Sequence, residues 1–386
     1  MILFFVIILI FLALLGTPLF AVIIAAAMMG FYTSDIDLSV ITIELYRIAD
    51  TPLLLALPLF TFAGYILGES NTSSRLVRLT RAFFGWMPGG LAIVAFIVCA
   101  LFTAFTGASG VTIVAMGALL YPALKQAGYK DNFSLGLVTT SGSLGLLLPP
   151  SLPLILYGVI AQQMSQGTDI SIEKLFIAGI LPAVLMIIML SLWSIWANRK
   201  HPIPLTPFSF KNARSAIRES IWEIPLPIFV FAGIYSGYFA VSEAAAVTAL
   251  YVLIVEVFIY REIKFSRLGA IMRESMVMVG GILLILGVSL AFTNYLIDAE
   301  VPVKLFELCQ TFVSSKLIFL ILLNIFLLLL GAILDIFSAI IIMVPLMLPV
   351  ALQYGIDPVH LGVIFLANMQ IGYFTPPVGM NLFIAG

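Results

Sequence analysis

The sequence has little charge and few of the side chains that hold metal ions. Only 10% of its 386 residues are charged, the net charge is −1, and there are two histidines and two cysteines. This is far too little polar surface to cover a soluble globule of this size. Cys99 and Cys309 have no second cysteine at ligand spacing, so neither a metal site nor redox chemistry is predicted. The basic residues lie in short loops rather than in a stripe, which excludes nucleic acid as a partner.

Apolar stretches dominate what is present. Hydrophobic residues make up 62% of the chain, and the mean hydropathy is +1.18. Many stretches reach the roughly 20 residues that a helix needs to cross about 30 Å of hydrocarbon. We therefore predict an all-α polytopic membrane protein, because a membrane barrel would need short alternating strands. Residues 1–30 lack a basic leader and a cleavage site, so we expect one retained membrane helix there.

The chain contains an internal repeat. Two proline pairs, Pro149-Pro150 and Pro376-Pro377, are separated by 376 − 149 = 227 residues. The segment Tyr121–Tyr129 matches Leu348–Ile356 at the same spacing. Paired apolar segments that are interrupted by Gly or Pro at equivalent positions are typical of secondary transporters, whose binding sites lie near the middle of the bilayer.

Loop charge predicts how the repeats are oriented. Lys and Arg are concentrated in the segments 75–81, 199–218 and 261–273, which we therefore place in the cytoplasm. Counting crossings from there, the first re-entrant hairpin enters from the cytoplasm and the second from the opposite side. The two matching hairpins thus belong to an inverted-topology repeat.

Each repeat is predicted to contain scaffold helices, an amphipathic arm, a hairpin and a broken helix. The first repeat covers residues 1–200, the second covers 222–386, and a polar cytoplasmic connector covers 201–221. The predicted arms, hairpins and broken helices are 72–87, 90–127 and 133–164 in the first repeat, and 299–313, 317–354 and 359–386 in the second.

Hairpin tips and helix breaks leave backbone carbonyl oxygens without helical partners, and such oxygens can bind a cation. In the first repeat, small and hydroxyl residues at these points supply hard oxygen ligands that suit Na⁺. An alternative is that they only let helices pack closely. These residues are Gly107, Ser109, Thr112, Thr140, Ser141, Gly142 and Ser143.

In the second repeat, Asp335 is the only carboxylate deep in its segment. A charge there costs about 2.5–3.5 kcal/mol on insertion scales, which makes it a functional candidate. The alternative is a helix N-cap. Asn381 has two equal interpretations, a substrate contact or a bond to a neighbouring helix. The other candidates in this half are Ser338, Asn368, Gly372 and Thr375.

Several motifs together resemble the large membrane subunit of TRAP (tripartite ATP-independent periplasmic) transporters. The resemblance covers nearly the whole chain. The motifs are Gly107–Thr112, Tyr121–Tyr129, Ser141–Gly145 with Pro149-Pro150-Ser151, Gly355–His360 and Thr375–Phe383.

This resemblance implies an elevator-type fold of the ion-transporter superfamily in the bacterial inner membrane, driven by inward Na⁺ flow. The substrate would be an organic anion such as a C4-dicarboxylate, a sialic acid or another sugar acid, delivered by a periplasmic binding protein. A separate small four-helix membrane subunit is expected, and no organic cofactor. By position, the first Na⁺ site would contain Gly107, Ser109, Ser141 and Ser143, and the second Asp335, Gly372 and Thr375.

The resemblance has one departure, because the chain stops at Gly386, where the family continues through its last broken helix. We therefore expect either a truncated end or an end that is unlike that of the family. The main alternative function is an ion-coupled carboxylate carrier of similar architecture that works without a binding protein. The sequence has no P-loop, no channel filter motif and no cluster of catalytic residues, which disfavours an ATPase, a channel and an enzyme.

Overall fold

The computed structural model describes residues 2–164, 170–199, 207–313 and 315–385, and within these ranges the secondary structure is helical without a strand. The first ten helices are α1 (Ile2–Leu14), α2 (Leu19–Thr33), α3 (Ser39–Ala49), α4 (Ala56–Glu69), α5 (Thr72–Phe84), α6 (Gly90–Thr106), α7 (Ser109–Gln126), α8 (Asp131–Ser141), α9 (Leu152–Met164) and α10 (Ile172–Ala197). The other nine are α11 (Phe210–Glu219), α12 (Pro225–Tyr235), α13 (Val241–Leu253), α14 (Phe265–Asp298), α15 (Val301–Phe312), α16 (Lys316–Gly331), α17 (Ile336–Gln353), α18 (Pro358–Gly372) and α19 (Met380–Ala385).

Six segments in the described ranges are long and apolar enough to cross a membrane. A bent pair, α15 with α16, raises the number to seven if the two helices form one span. The six are Pro52–Glu69, Asp131–Met164, Ile172–Ala197, Val241–Ile259, Phe265–Asp298 and Ile336–Gln353.

The same order of elements occurs in both halves. In the first, the arm α5 precedes the hairpin α6–α7 and the broken helix α8–α9; in the second, α15 precedes α16–α17 and α18–α19. Both helix breaks contain a cis proline pair, at Pro149-Pro150 and Pro376-Pro377. The predicted fold class, an all-α polytopic membrane protein with inverted repeats of a hairpin and a broken helix, is confirmed.

The structure differs from the sequence prediction in three places. Residues 1–30 do not form one helix, because Gly16, with a φ of 86°, and Pro18 at the N-cap of α2 interrupt the chain between α1 and α2. Two short helices occur outside the elements that were predicted: α3, and α11 within the predicted polar connector. Of the predicted connector, residues 201–206 lie outside the described part of the chain.

The two halves share one apolar core. Helix α17 of the second half packs on α9 of the first, and α18 packs on α10. A hydrogen bond reinforces this contact, since the buried Tyr157 hydroxyl donates to the Pro358 carbonyl oxygen at 2.6 Å. Gly362 leaves the space that the Tyr157 ring occupies, because a Cβ at this glycine would lie 2.5 Å from that ring. The broken helix of the second half is therefore held against that of the first.

One buried arginine fastens the arm α5 to the second half. The Arg75 guanidinium forms ion pairs with Glu223, Glu256 and Glu262 and lies 4.0 Å from the centre of the Tyr260 ring. Its side chain is 10% exposed and that of Glu256 is 0% exposed. Three carboxylates thus depend on one cation in a place with little water.

Glu262, the carboxylate of this cluster that lies in a loop, is held in its charged form. Partial burial opposes ionisation of Glu262, but hydrogen bonds from the Asn71 backbone N–H and from Arg75 outweigh it and lower the pKa of Glu262 below its ordinary value. Because the pKa is lower in the folded protein, this stabilisation is complete above the ordinary pKa and is lost as the pH falls through the folded-state value.

Replacing Arg75 by Met should therefore lower the free energy of unfolding by about 3–5 kcal/mol, because it leaves buried carboxylates unpaired. Thermal unfolding of the detergent-purified protein measures this change. Arg78→Met is the matched control, since Arg78 pairs with Glu219 at the surface and should contribute about 0–1 kcal/mol. Equal melting temperatures for the two variants would contradict the role given to Arg75.

Candidate functional site

The two helix breaks meet at the centre of the molecule. The Ser143 hydroxyl lies 3.4 Å from the Gln370 carbonyl oxygen and equally far from the Thr140 carbonyl oxygen of its own segment, and the Ser143 and Gln370 side chains are fully buried. These residues are equivalent in the two repeats, because 370 − 143 = 227. Equivalent residues of two repeats contact each other only where the axis that relates the repeats passes. The breaks therefore lie on the pseudo-two-fold axis, where transporters of this kind bind substrate.

Each break also contacts the hairpin of its own repeat, backbone against backbone. A Cβ at Gly145 would overlap the Ala100 carbonyl oxygen and lie 2.5 Å from the Ala104 nitrogen. A Cβ at Gly372 would lie 2.5 Å from the Gly331 carbonyl carbon. The two contacts are equivalent, because 372 − 145 = 227 and 331 − 104 = 227. Only glycine allows this approach, so each break and its hairpin form one packed unit.

Oxygen atoms converge where the first hairpin meets the first break. The Thr103 hydroxyl lies 2.7 Å from the Cys99 carbonyl oxygen and 2.9 Å from the Gly142 carbonyl oxygen. The Thr112 hydroxyl lies 2.8 Å from the Thr103 hydroxyl. A hydroxyl has one hydrogen and can satisfy only one of the two carbonyls. Both threonines are fully buried, so this is a compact cluster of oxygen ligands.

The structure brings several predicted residues of the first repeat to this cluster. Thr112 and Gly142 belong to it, and Ser109 is close, because a Cβ at Gly142 would lie 3.4 Å from the Ser109 carbonyl oxygen. Gly107, with a φ of 64°, makes the turn of the hairpin. The hydroxyl of Ser141, by contrast, donates to Val138 in its own helix.

Thr103 was missed by the sequence prediction because it lies inside α6, four residues before the predicted tip at Gly107. The signal was present, since Thr103 and Thr106 are hydroxyl residues spaced one turn apart in an otherwise apolar helix. The Thr106 and Thr112 hydroxyls lie 3.3 Å apart, which extends the cluster toward the turn.

In the second repeat, Asp335 is the N-cap of α17. Its Oδ1 atom accepts hydrogen bonds from the backbone N–H groups of Phe337 and Ser338, both at 3.0 Å. The capping interpretation is therefore correct for Oδ1, while Oδ2 accepts no hydrogen bond within the described ranges. The hairpin tip is tied to the break, since the Gly379 N–H donates to the Ala332 carbonyl oxygen at 2.9 Å.

Two other predicted residues form hydrogen bonds within the second repeat. The Thr375 hydroxyl is exposed and donates to the Ile371 carbonyl oxygen of its own helix at 2.9 Å. Asn368 donates through Nδ2 to Oδ1 of Asn324 at 2.7 Å, which joins the broken helix to the first arm of the hairpin. The Asp335 and Thr375 side chains are thus each bonded to their own segment.

The break region also holds two buried amide oxygens without partners in the described part of the chain, Oδ1 of Asn381 and Oε1 of Gln370. Nδ2 of Asn381 donates to the Thr139 carbonyl oxygen at 3.1 Å, so the predicted bond to a neighbouring helix exists and links α19 to the first repeat. An unpaired buried oxygen costs about 1–3 kcal/mol and needs a ligand or water. Gln370 was missed, although the 227-residue spacing pairs it with Ser143.

The chemistry of these donors fits an alkali cation. Among the residues described, no group of three or more His, Cys, Asp or Glu side chains could hold a metal ion. The available donors are hydroxyl, amide, carboxylate and backbone oxygens, which are hard ligands.

The repeats, with paired hairpins and broken helices that meet on a pseudo-two-fold axis, define a polytopic secondary-transporter fold. The chain belongs to the family described as "Tripartite ATP-independent periplasmic transporter, DctM component", whose family model matches residues 5–386. It is thus a multi-pass transporter permease of the bacterial inner membrane and not an enzyme.

Known proteins support the family and the fold. The chain is 34% identical to the isethionate TRAP transporter permease protein DctMQ of Oleidesulfovibrio alaskensis, over 86% of this chain and about half (52%) of that protein. It is 33% identical to the C4-dicarboxylate TRAP transporter large permease protein DctM of Pseudomonas aeruginosa, over 89% of this chain and 79% of that protein. The crystal structure of the Alcanivorax borkumensis YdaH transporter, 14% identical, matches with a TM-score of 0.64 over 89% of this chain and 80% of that chain, which shows the fold alone.

Substituting Gly372 by Ala should destabilise the protein by about 1–3 kcal/mol, because the new methyl group would push the break away from the hairpin. Thermal unfolding of the purified variant checks this. Gly280→Ala is the control, since a Cβ there meets nothing within 4 Å and helix propensity favours Ala by about 1 kcal/mol. If Gly372→Ala melts with or above the control, the close approach is not a constraint.

Proposed function

We propose that this chain forms the membrane pathway for Na⁺-coupled uptake of an organic anion, delivered by a periplasmic binding protein. The observation that carries the proposal is the meeting of the two breaks at Ser143 and Gln370, with unpaired oxygens beside it. Buried polar groups inside a membrane bundle mark a substrate or ion path.

The first Na⁺ site would use the oxygen cluster of the first repeat. Thr103 and Thr112 would join the Gly142 carbonyl oxygen and the backbone around Gly107 and Ser109. Ser141 and Ser143 complete the proposed set through the same segment of the break. A bound Na⁺ would supply the positive charge that offsets the charge of the substrate in a low-dielectric site.

The second Na⁺ site would use Asp335, with Gly372 and Thr375 from the adjacent break. The free Oδ2 atom of Asp335 supports this role, because capping occupies only Oδ1. Gly372 contributes its backbone, which lies against the hairpin tip.

The substrate is proposed to be an anion because the two tips differ. Asp335 caps α17, while the equivalent residue of the first repeat is Ala108, since 335 − 108 = 227, and it offers no side-chain cap to α7. The positive end of α7 is thus available to a negative group, which a carboxylate would complement. Isethionate and C4-dicarboxylates, which the relatives' names state, are organic anions as well.

The transport step is proposed to be an elevator movement. Each hairpin is packed backbone to backbone with its own break, and the breaks contact each other at the axis. Helices α4, α13 and α14 pack together as a second group, which would serve as the scaffold. A small four-helix membrane subunit would enlarge that scaffold.

Uptake of labelled organic acids into proteoliposomes tests the proposal. We expect accumulation only with an inward Na⁺ gradient, the small subunit and the binding protein together, because each supplies a separate part of the cycle. Uptake by the membrane protein without a binding protein would instead support the lone carboxylate carrier. Uptake that is independent of Na⁺ would remove the coupling proposal.

Asp335→Asn separates the ionic role of this residue from its capping role. Asparagine caps a helix as well as aspartate does, so folding should be unchanged, while the Na⁺ concentration for half-maximal uptake should rise about tenfold or more. Asp357→Asn is the matched control, because Asp357 caps α18 with the same two-bond geometry, from Val359 and His360. The same Na⁺ dependence in both variants would refute a cation site at Asp335.

A further inference from the structure

The arm α5 and the connector helix α11 pack against each other and form one strongly basic surface. Together they carry six basic side chains: Arg75, Arg78, Arg81, Lys211, Arg214 and Arg218. Arg75 forms ion pairs with three glutamates, and Arg78 forms one with Glu219.

Four of these cations remain without a carboxylate partner among the described residues. They are Arg81, Lys211, Arg214 and Arg218, and all four are exposed. The surface of α5 and α11, which we call the basic arm face, therefore has a positive charge that the protein itself does not neutralise. Such a face attracts anions from its surroundings.

A cavity of about 280 Å³ lies within the basic arm face. Arg78 and Arg81 line it on the α5 side, and Ser209 and Asn212 line it at the start of α11. These four side chains offer hydrogen-bond donors, and the described residues that line the cavity include no carboxylate. Ser209 is the N-cap residue of α11, and its side chain makes no capping hydrogen bond. Guanidinium and N–H donors around a small space suit a phosphate group.

Exposed aromatic side chains border the basic arm face. Trp86 is 50% exposed and Phe210 is 76% exposed, and three more large aromatics are similarly uncovered, namely Phe83, Phe84 and Phe208. Aromatic rings beside Lys and Arg are typical of segments that lie at the level of lipid headgroups. These rings belong to the same two segments as the residues that line the cavity, which is the composition expected of segments at the membrane interface.

We propose that the cavity between α5 and α11 binds the phosphate headgroup of an anionic phospholipid, which ties the connector to the arm. The charge of the basic arm face selects an anionic over a zwitterionic lipid, since each nearby Lys or Arg contributes about 1 kcal/mol to binding an acidic membrane. The site lies outside the ion and substrate residues, so it does not depend on the proposed transport function.

Lipid titration of the delipidated protein in detergent tests this site. We expect phosphatidylglycerol to raise the melting temperature, while phosphatidylcholine with the same acyl chains does not. Arg81→Gln should weaken phosphatidylglycerol binding about fivefold. Asn212→Asp, which adds a carboxylate to the cavity, should weaken it further. The matched control is Arg273→Gln, an exposed arginine of α14 that should leave binding unchanged.

Three results would overturn the proposal. Equal stabilisation by phosphatidylcholine would assign the effect to acyl chains. Equal binding by the Arg81→Gln and Arg273→Gln variants would mean that no specific site exists. Inorganic phosphate that reproduces the full stabilisation at the same concentration would assign the cavity to a free anion instead. Native mass spectrometry of the same samples counts the retained lipids and separates binding from a change in stability.

Discussion

The structure depends on one constraint: the backbone at two helix breaks must find partners inside a membrane protein. The breaks α8–α9 and α18–α19 cannot face lipid, because unpaired N–H and C=O groups are too costly there. Gly145 and Gly372 solve this by letting each break touch the backbone of its hairpin. The contact between Ser143 and Gln370 then joins the two breaks. The same unsatisfied groups that cause the problem are the proposed ligands of ion and substrate.

The repeats share a backbone but differ in charge. At equivalent positions, Ala108 leaves the N-terminus of α7 open, whereas Asp335 caps that of α17. In the first repeat the oxygen ligands come from hydroxyls and carbonyls, with Thr103 at the centre. In the second repeat, the carboxylate of Asp335 lies at the hairpin tip. Two related structures thus acquire different chemistry through a few side chains, and the proposed uptake of an anion together with cations would use this difference.

The arm of the first repeat has two electrostatic faces. Its buried side is held by Arg75, which pairs with glutamates from the second half of the chain. Its outer side carries Arg78, which pairs with Glu219 at the surface, and Arg81, which has no carboxylate partner among the described residues, next to exposed aromatic rings. Burial explains the difference, because a charge inside must be paired while a charge at the surface can be solvated or bind lipid.

The sequence by itself determined the helical membrane class and the repeat of hairpins and broken helices, because length, hydropathy and the 227-residue spacing are local or periodic signals. It also made Asp335 a candidate, but it did not show that Oδ1 caps a helix while Oδ2 accepts no hydrogen bond within the described ranges. Only the tertiary structure showed what Thr103, Gln370 and Arg75 contact. Their partners are distant in sequence or are backbone atoms. These contacts form only in the folded chain, so a pattern of residue types does not predict them.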